Sequence, residues 1–219
     1  MKERGILFSA PMVRALLVGA KTQTRRAIKL REFGPSSTKG YEWTFRDRRA
    51  LWNDVSTELL MRKFCRYGLA GDRLWVRETH AQFAVGDRTG TAPQCVAYRA
   101  TCDADDGFDY VNNGDEVMRI KVTKWTPAIH MPRWASRITL EVTDVRVERL
   151  QDISEDDAKA EGVLSLSEAE VAATNPGGKT WSRGPATARY ELLWDAINGD
   201  GLWASNPWVW AISFKRVTP

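Results

Sequence analysis

The sequence predicts an α+β fold, a mixed β-barrel flanked by short helices and interrupted by long insertions. Three observations carry this. The runs Arg73 to Thr79 and Trp208 to Val217 alternate in the strand manner. The longest strand candidate, Ile138 to Arg149, changes apolar parity between Val142 and Val145. A bulge or bend near Thr143-Asp144 has that effect, and barrels use such features to close. The helical stretches between these runs are few, short and clearly punctuated.

In chain order, Ile6-Leu7-Phe8 reads as a first strand. Ser9 caps the helix that follows, and Pro11 fits its first turn. Met12, Ala15, Leu16 and Val18 give that helix one apolar face, and Gly19 ends it. From Thr22 the pattern suits a strand, with Thr22, Thr24 and Arg26 on one face and Gln23 and Arg25 on the other. Residues 30–50 carry Gly34-Pro35-Ser36-Ser37 and Lys39-Gly40, and read as a turn-rich insertion. Leu51, Val55, Leu59, Leu60 and Phe64 fall near helical spacing, which predicts a helix over 50–66. Gly71-Asp72 is a tight turn before the strand at Arg73. An acidic loop holds Cys102-Asp103-Ala104-Asp105-Asp106-Gly107. Its spacing does not suit a calcium loop, so it reads as solvated surface.

Trp125 to Trp134 is irregular, because Pro127 and Pro132 forbid a continuous helix or central strand. Here Arg133 suits a carbonyl or phosphate and Trp134 suits a stacked base. The competing reading is a loop that packs a barrel edge. Ser154 caps a short helix with acids in its first turn, and Gly162 stops it, leaving Glu161 as its last residue. Residues 164–185 form a polar linker or flap. Thr187 to Ile197 is an amphipathic helix with Tyr190, Leu193, Trp194 and Ile197 on one face. In the closing strand, Trp208, Trp210, Ile212 and Phe214 share a face expected to meet the core.

Composition bounds the function. The chain has 219 residues, 43% hydrophobic and 27% charged, which suits one globular domain. The net charge of +4 excludes a generic polyanion binder. Residues 1–50, however, hold 12 Lys/Arg against 4 Asp/Glu, which permits a phosphate-bearing partner or a solvated basic face. Ten tryptophans are many, and such an excess suits a site that stacks flat ligands. Cys65, Cys95 and Cys102 are an odd, sparse set. Cys95 and Cys102 with His80 and His130 match no zinc spacing, so no metal is expected. No signal peptide opens the chain and no apolar run is long enough to span a membrane. A cytoplasmic protein with reduced thiols is expected.

Gly19-Ala20-Lys21-Thr22-Gln23-Thr24-Arg25-Arg26 has two local readings. One is a helix stop followed by a basic strand. The other is an activated nucleophile, with a lysine beside a threonine hydroxyl amid cations. The second carries a geometric condition. In a straight strand Lys21 has the wrong parity to share a face with Thr24, so a turn at Gly19–Lys21 must aim it back.

The spacing Gly19-x-Lys21-x-x-Thr24-x-Arg26 resembles the signature loop of the ASCH domain, within the PUA-like barrel superfamily. The form Lys-Thr-x-Thr-x-Arg resembles the small bacterial N4-acetylcytidine amidohydrolases. The resemblance continues at Gly71-Asp72-x-Leu74-x-Val76, at Leu150 to Gly162 and at Val209-x-x-Ile212-x-Phe214-Lys215. It implies one domain over 1–219, with insertions near 30–66, 83–135 and 164–207. The long form also resembles ASCH proteins of phages and prophages.

The resemblance implies a catalytic trio of Lys21, Thr24 and Glu161 that hydrolyses the exocyclic amide of an N4-acylcytidine. Thr24 attacks or positions water, Lys21 accepts a proton and Glu161 protonates the departing amine. Neither a metal nor another cofactor is required. Lys21 must then be neutral and Glu161 protonated, so the trio is coupled. Arg26 or a backbone N–H near Gly19–Lys21 is expected to hold the oxyanion. Trp75, Glu78 or Trp134 is expected to hold the pyrimidine. Two other functions remain open: a non-catalytic module for RNA or a modified base, and an ASCH ribonuclease.

Overall fold

A computed structural model describes residues 1–84, 94–102, 107–111, 117–165 and 185–217. It is an α+β structure whose principal element is a five-stranded sheet. β1 (Glu3–Leu7), β6 (Arg73–Arg77), β11 (Thr139–Arg149), β12 (Trp208–Val217) and β2 (Gln23–Ala27) lie in that order. β1 pairs with β6 in parallel, and the other pairings are antiparallel. Most of the packing begins here. Leu74, Val76, Leu140, Val142, Val209, Ala211 and Ile212 are all buried to within 1%. Their apolar and β-branched character fits strands covered on both faces.

Between β11 and β12 the register shifts between Val142 and Asp144, the position that the parity change marks. The sheet nevertheless does not close into a barrel. β1 and β2 are its two free edges, and no strand pairing joins them among the described residues. A side chain spans the gap instead, as an Arg26 guanidinium N–H donates to Leu7 O at 2.7 Å.

Three helices matter to the edge at β2. α1 (Ala10–Leu17) follows β1 and buries Met12, Val13, Ala15 and Leu16, whereas Val18 lies beyond its end and is exposed. α3 (Glu155–Ala160) starts as expected, with the Ser154 hydroxyl accepting from the Asp157 N–H. α4 (Ala186–Asn198) buries Tyr190, Leu193 and Trp194 but leaves Ile197 exposed, and Gly199 ends it at φ 122°. Glu155 ties the two together, accepting from the N–H groups of Ala186 and Thr187 at the start of α4. These are otherwise orphan donors of a helix N-terminus.

The expected helix over 50–66 is shorter and is preceded by strands. β3 (Arg31–Pro35), β4 (Trp43–Arg46) and β5 (Trp52–Val55) form a separate antiparallel sheet, and only Thr57–Phe64 is helical, as α2. Leu51 therefore sits exposed at a strand start rather than on a buried helix face. Ser56 caps α2 by accepting from the Leu59 N–H, so the helix begins at Thr57 rather than near residue 50. Phe45, Val55 and Leu60 carry this unit into the main core. Two further hairpins pair β7 (His80–Ala84) with β8 (Gln94–Tyr98) and β9 (Gly107–Val111) with β10 (Val117–Lys121). The acidic run Asp103–Asp106 and the linker 166–184 lie outside the described residues. Among the described residues no helix is long and apolar enough to cross a membrane.

Leu140 lies between β6 and β12, opposite Leu74 and Arg216, and is fully buried. Leu140→Ala is expected to lower unfolding free energy by about 2–5 kcal/mol, through lost burial and the cavity left behind. Chemical denaturation checks this, and a loss below about 1 kcal/mol contradicts the described core.

Candidate active site

The site grows from the way α1 ends. Gly19 adopts φ 76°, a left-handed conformation that glycine reaches at little cost. The N–H groups of Ala20 and Lys21 then both donate to Ala15 O, at 2.9 and 3.1 Å. That fold-back turns the Lys21 side chain inward and meets the parity condition set by the sequence. The Thr22 N–H donates to Ala160 O at 2.8 Å, so the turn docks directly on the end of α3. Gly162, at φ 83°, permits the contact. A Cβ there would lie 3.0 Å from Ala15 Cβ and 3.1 Å from Lys21 Cβ.

The Lys21 ammonium has all three protons committed. It donates to Gln23 O at 2.8 Å, to Glu161 O at 2.8 Å and to Glu161 Oε2 at 2.7 Å. Lys21 and Glu161 are each about 3% exposed, so the pair is removed from water. Burial pushes the Lys21 pKa below the ordinary lysine value, while the Glu161 charge and hydrogen bond oppose it and Arg26 and Arg25 add to the fall. The lysine also caps a helix C-terminus, where a cation is favoured by the dipole.

Arg25 holds the pair from the other side. Its guanidinium lies 2.5 Å from Glu148, 2.9 Å from Asp157 and 3.5 Å from Glu161 Oε1, and it donates to Gln23 Oε1. Burial opposes its charge, yet the carboxylates of Glu161 and Glu148 keep its pKa above the ordinary arginine value. Gln23 in turn donates to Asp157 and Ser213. Thus the lower face of β2 is a network that fixes both oxygens of Glu161.

Thr24 sits on the opposite face of β2, paired with Ile212, and is also buried. Even so, Lys21, Thr24 and Glu161 line one chamber of about 40 Å³, together with Phe8, Arg26, Tyr190 and Trp194. The free edge of β2 makes this possible, since a cavity beside an unpaired edge reaches side chains from both faces. Among the described residues the Thr24 hydroxyl makes no hydrogen bond, and none joins it to Lys21.

Tyr190 is the residue that sequence reasoning assigned only to a core face. Its phenol is buried beside the Glu161 carboxylate, and its ring faces the Arg25 guanidinium at 6.0 Å. Burial first, then the Glu161 charge, raises its pKa well above the ordinary value. A buried tyrosine needs a partner for its hydroxyl, and that need is the one signal the sequence offered.

The expected oxyanion donors divide. The N–H groups of Gly19, Ala20, Lys21 and Thr22 are all committed to backbone carbonyls, which excludes them. Arg26 remains, with one N–H on Leu7 O and its guanidinium 5.3 Å from the Phe8 ring. The other expected substrate contacts lie away from the chamber. Trp75 packs beneath Arg77 and Arg133. Glu78 is buried in a bidentate pair with Arg137, at 2.9 and 3.0 Å. Arg133 pairs with Glu3, and Trp134 is 55% exposed.

Among the described residues no group of three or more His, Cys, Asp or Glu side chains is placed to hold a metal ion. Comparison of the chain with protein-family models, with curated proteins and with solved structures found no match.

The raised Tyr190 pKa has a definite sign in stability. The unfolded tyrosine ionises near its ordinary value of 10, while the folded one stays neutral, so its contribution is complete below pH 10 and is lost as pH rises beyond it. Wild-type stability is expected to fall more steeply above that pH than stability of Tyr190→Phe, in denaturation series at matched pH. Parallel slopes contradict this placement of the phenol.

Proposed function

We propose that the chain is a hydrolase of the N4-acyl amide of N4-acetylcytidine or a related N4-acylcytidine, built on a PUA-like, ASCH-type scaffold. The observation that carries this reading is the Lys21–Glu161 contact of 2.7 Å inside a chamber that Thr24 also lines. Transfer of one proton from Lys21 to Glu161 converts the ion pair into an amine and a carboxylic acid. One step thus supplies both the base and the acid that amide hydrolysis needs. Burial supports the transfer, because it penalises both charges.

Lys21 then accepts the Thr24 proton as Thr24 Oγ1 attacks the acyl carbonyl, and Arg26 stabilises the oxyanion. Glu161 protonates N4, the C–N bond breaks and cytidine leaves. Water clears the acyl group from Thr24, releasing a carboxylate. The absence of a Thr24–Lys21 bond favours a second version, in which Thr24 orients the attacking water instead.

The chamber also bears on acyl length. Its 40 Å³ is room for roughly three water-sized groups, at about 10–15 Å³ each. An acetyl group has three heavy atoms, and a longer chain must displace Met12 or Trp194.

The test is incubation with N4-acetylcytidine and N4-benzoylcytidine in the presence of a chelator, followed by chromatography. Cytidine is expected from the acetyl substrate, with kcat/KM at least about tenfold above the benzoyl one. Thr24→Ala is expected to lose about 10³-fold or more of kcat, and Arg26→Gln about 10²-fold. A trapped acyl-threonine distinguishes the nucleophile from the positioned water. No turnover of either substrate, with cytidine binding that survives Thr24→Ala, points to the rival reading of a non-catalytic module for RNA or a modified base.

A further inference from the structure

The chamber at Lys21 is continuous with a longer opening. A second cleft of about 240 Å³ adjoins it along the gap between β1 and β2, and the two share Arg25, Arg26 and Asn198. Five of the eleven residues lining this second cleft are basic, and no acid is among them. Arg25 is spent on its carboxylates, which leaves Arg26, Lys29, Arg66 and Arg77 facing the opening.

None of these four has a carboxylate partner among the described residues. Other bases of the chain do find carboxylates, as Arg46 does with Glu32, Arg62 with Glu58, Arg146 with Asp144 and Lys215 with Glu141. Arg26 and Arg77 use only part of their donor sets, on Leu7 O and Ile129 O, and the Arg77 Nε is buried without a partner. Arg66 lies over the Tyr67 ring at 5.6 Å, which orders its guanidinium at the rim. Lys29 is exposed beside it on the chain leaving β2. Four unpaired cations around one cleft repel each other, and an anion of matching size relieves that repulsion.

We propose that this cleft binds a phosphate group carried on the sugar of the substrate, so that the substrate is a nucleotide unit rather than a free nucleoside. The proposal rests on the amidohydrolase reading for its placement. With the acyl amide in the Lys21 chamber, the sugar extends past Arg26 and Asn198, and its phosphate meets Lys29, Arg66 and Arg77. The cleft continues into a third cavity of about 190 Å³, shared through Ala27, Lys29, Arg66 and Tyr67 and lined also by Phe64 and Trp210. A phosphodiester therefore fits as well as a monoester, and both present the same chemistry to these bases.

The experiment measures affinity by calorimetry, which needs no turnover. Cytidine, cytidine 5′-monophosphate and a short oligocytidylate are titrated into the full chain. Either phosphorylated probe is expected to bind at least about tenfold more tightly than cytidine, and the better of the two identifies the source of the phosphate. The advantage is expected to fall to within about twofold in the Lys29→Gln/Arg66→Gln double variant. It persists in Arg62→Gln, a surface base that the cleft does not include. Equal affinities for cytidine and both phosphorylated probes, or an advantage unchanged in the double variant, overturn the proposal. A phosphate advantage without hydrolysis of any acylated substrate defeats the amidohydrolase reading and leaves this site standing. Turnover of N4-acetylcytidine without a phosphate advantage does the reverse.

Discussion

The buried ammonium of Lys21 holds three separate parts of the chain in one place. Its three hydrogen bonds reach the edge strand β2 and both the carbonyl and carboxylate of the residue closing α3. Its own backbone is pinned to Ala15 in α1. Such a pair is weak evidence for stability, because desolvation of two charges offsets most of their attraction. What it supplies is position. The acceptors of Lys21 cannot be satisfied by another register of β2 or another rotation of α3, and a lost partner leaves an uncompensated charge in the interior. Gly19 and Gly162 serve the same constraint, one by reversing the chain and the other by letting Lys21 approach.

The second constraint is the open edge. A closed barrel would spend the outward backbone groups of β2 on a neighbouring strand. Here hydrogen bonds from Ile28 to Trp208 and from Phe214 to Thr22 put the even-numbered residues in bonded pairs with β12. Gln23, Arg25 and Ala27 therefore direct their backbone groups toward the gap, and the Gln23 carbonyl meets Lys21 there. Arg26 spans the gap to Leu7 with a side chain instead of a strand. The edge is thus blunted by charge and filled by clefts, which suits the binding of a polar ligand.

Elements whose local chemistry is self-sufficient were legible in the sequence. The parity change in β11, the Ser154 cap and the run of β12 all follow from short-range pattern. Residues 30–66 were not, because Leu51, Val55 and Leu59 mimic a helical period while two of the three are exposed and one belongs to a strand. Closure of the barrel was also beyond reach. A bulge bends a strand, but whether two edges meet depends on what stands between them. The candidate trio was named through a resemblance, and its convergence needed the turn that the strand parity demanded. Tyr190 has the spacing of a core residue, and the Glu161 carboxylate beside it lies in another element. Glu78 and Arg133 carry charge in suggestive blocks, yet each is consumed by an opposite charge distant in sequence.

Buried charges in this chain differ in whether they border a cavity. Glu78 and Arg137 form a bidentate pair, and neither is among the residues lining the three cavities described above. Lys21 and Glu161 are also paired, but at the wall of a chamber, where a ligand can compete for their hydrogen bonds. The two pairs differ in what a proton transfer would accomplish. Between Glu78 and Arg137 it is blocked by the basicity of guanidinium, so the pair is fixed as ions. Between Glu161 and Lys21 burial already lowers the lysine pKa, so the same transfer is not blocked. On the proposed hydrolase reading an arginine at position 21 keeps a cation at the end of α3 but removes the proton exchange with Glu161.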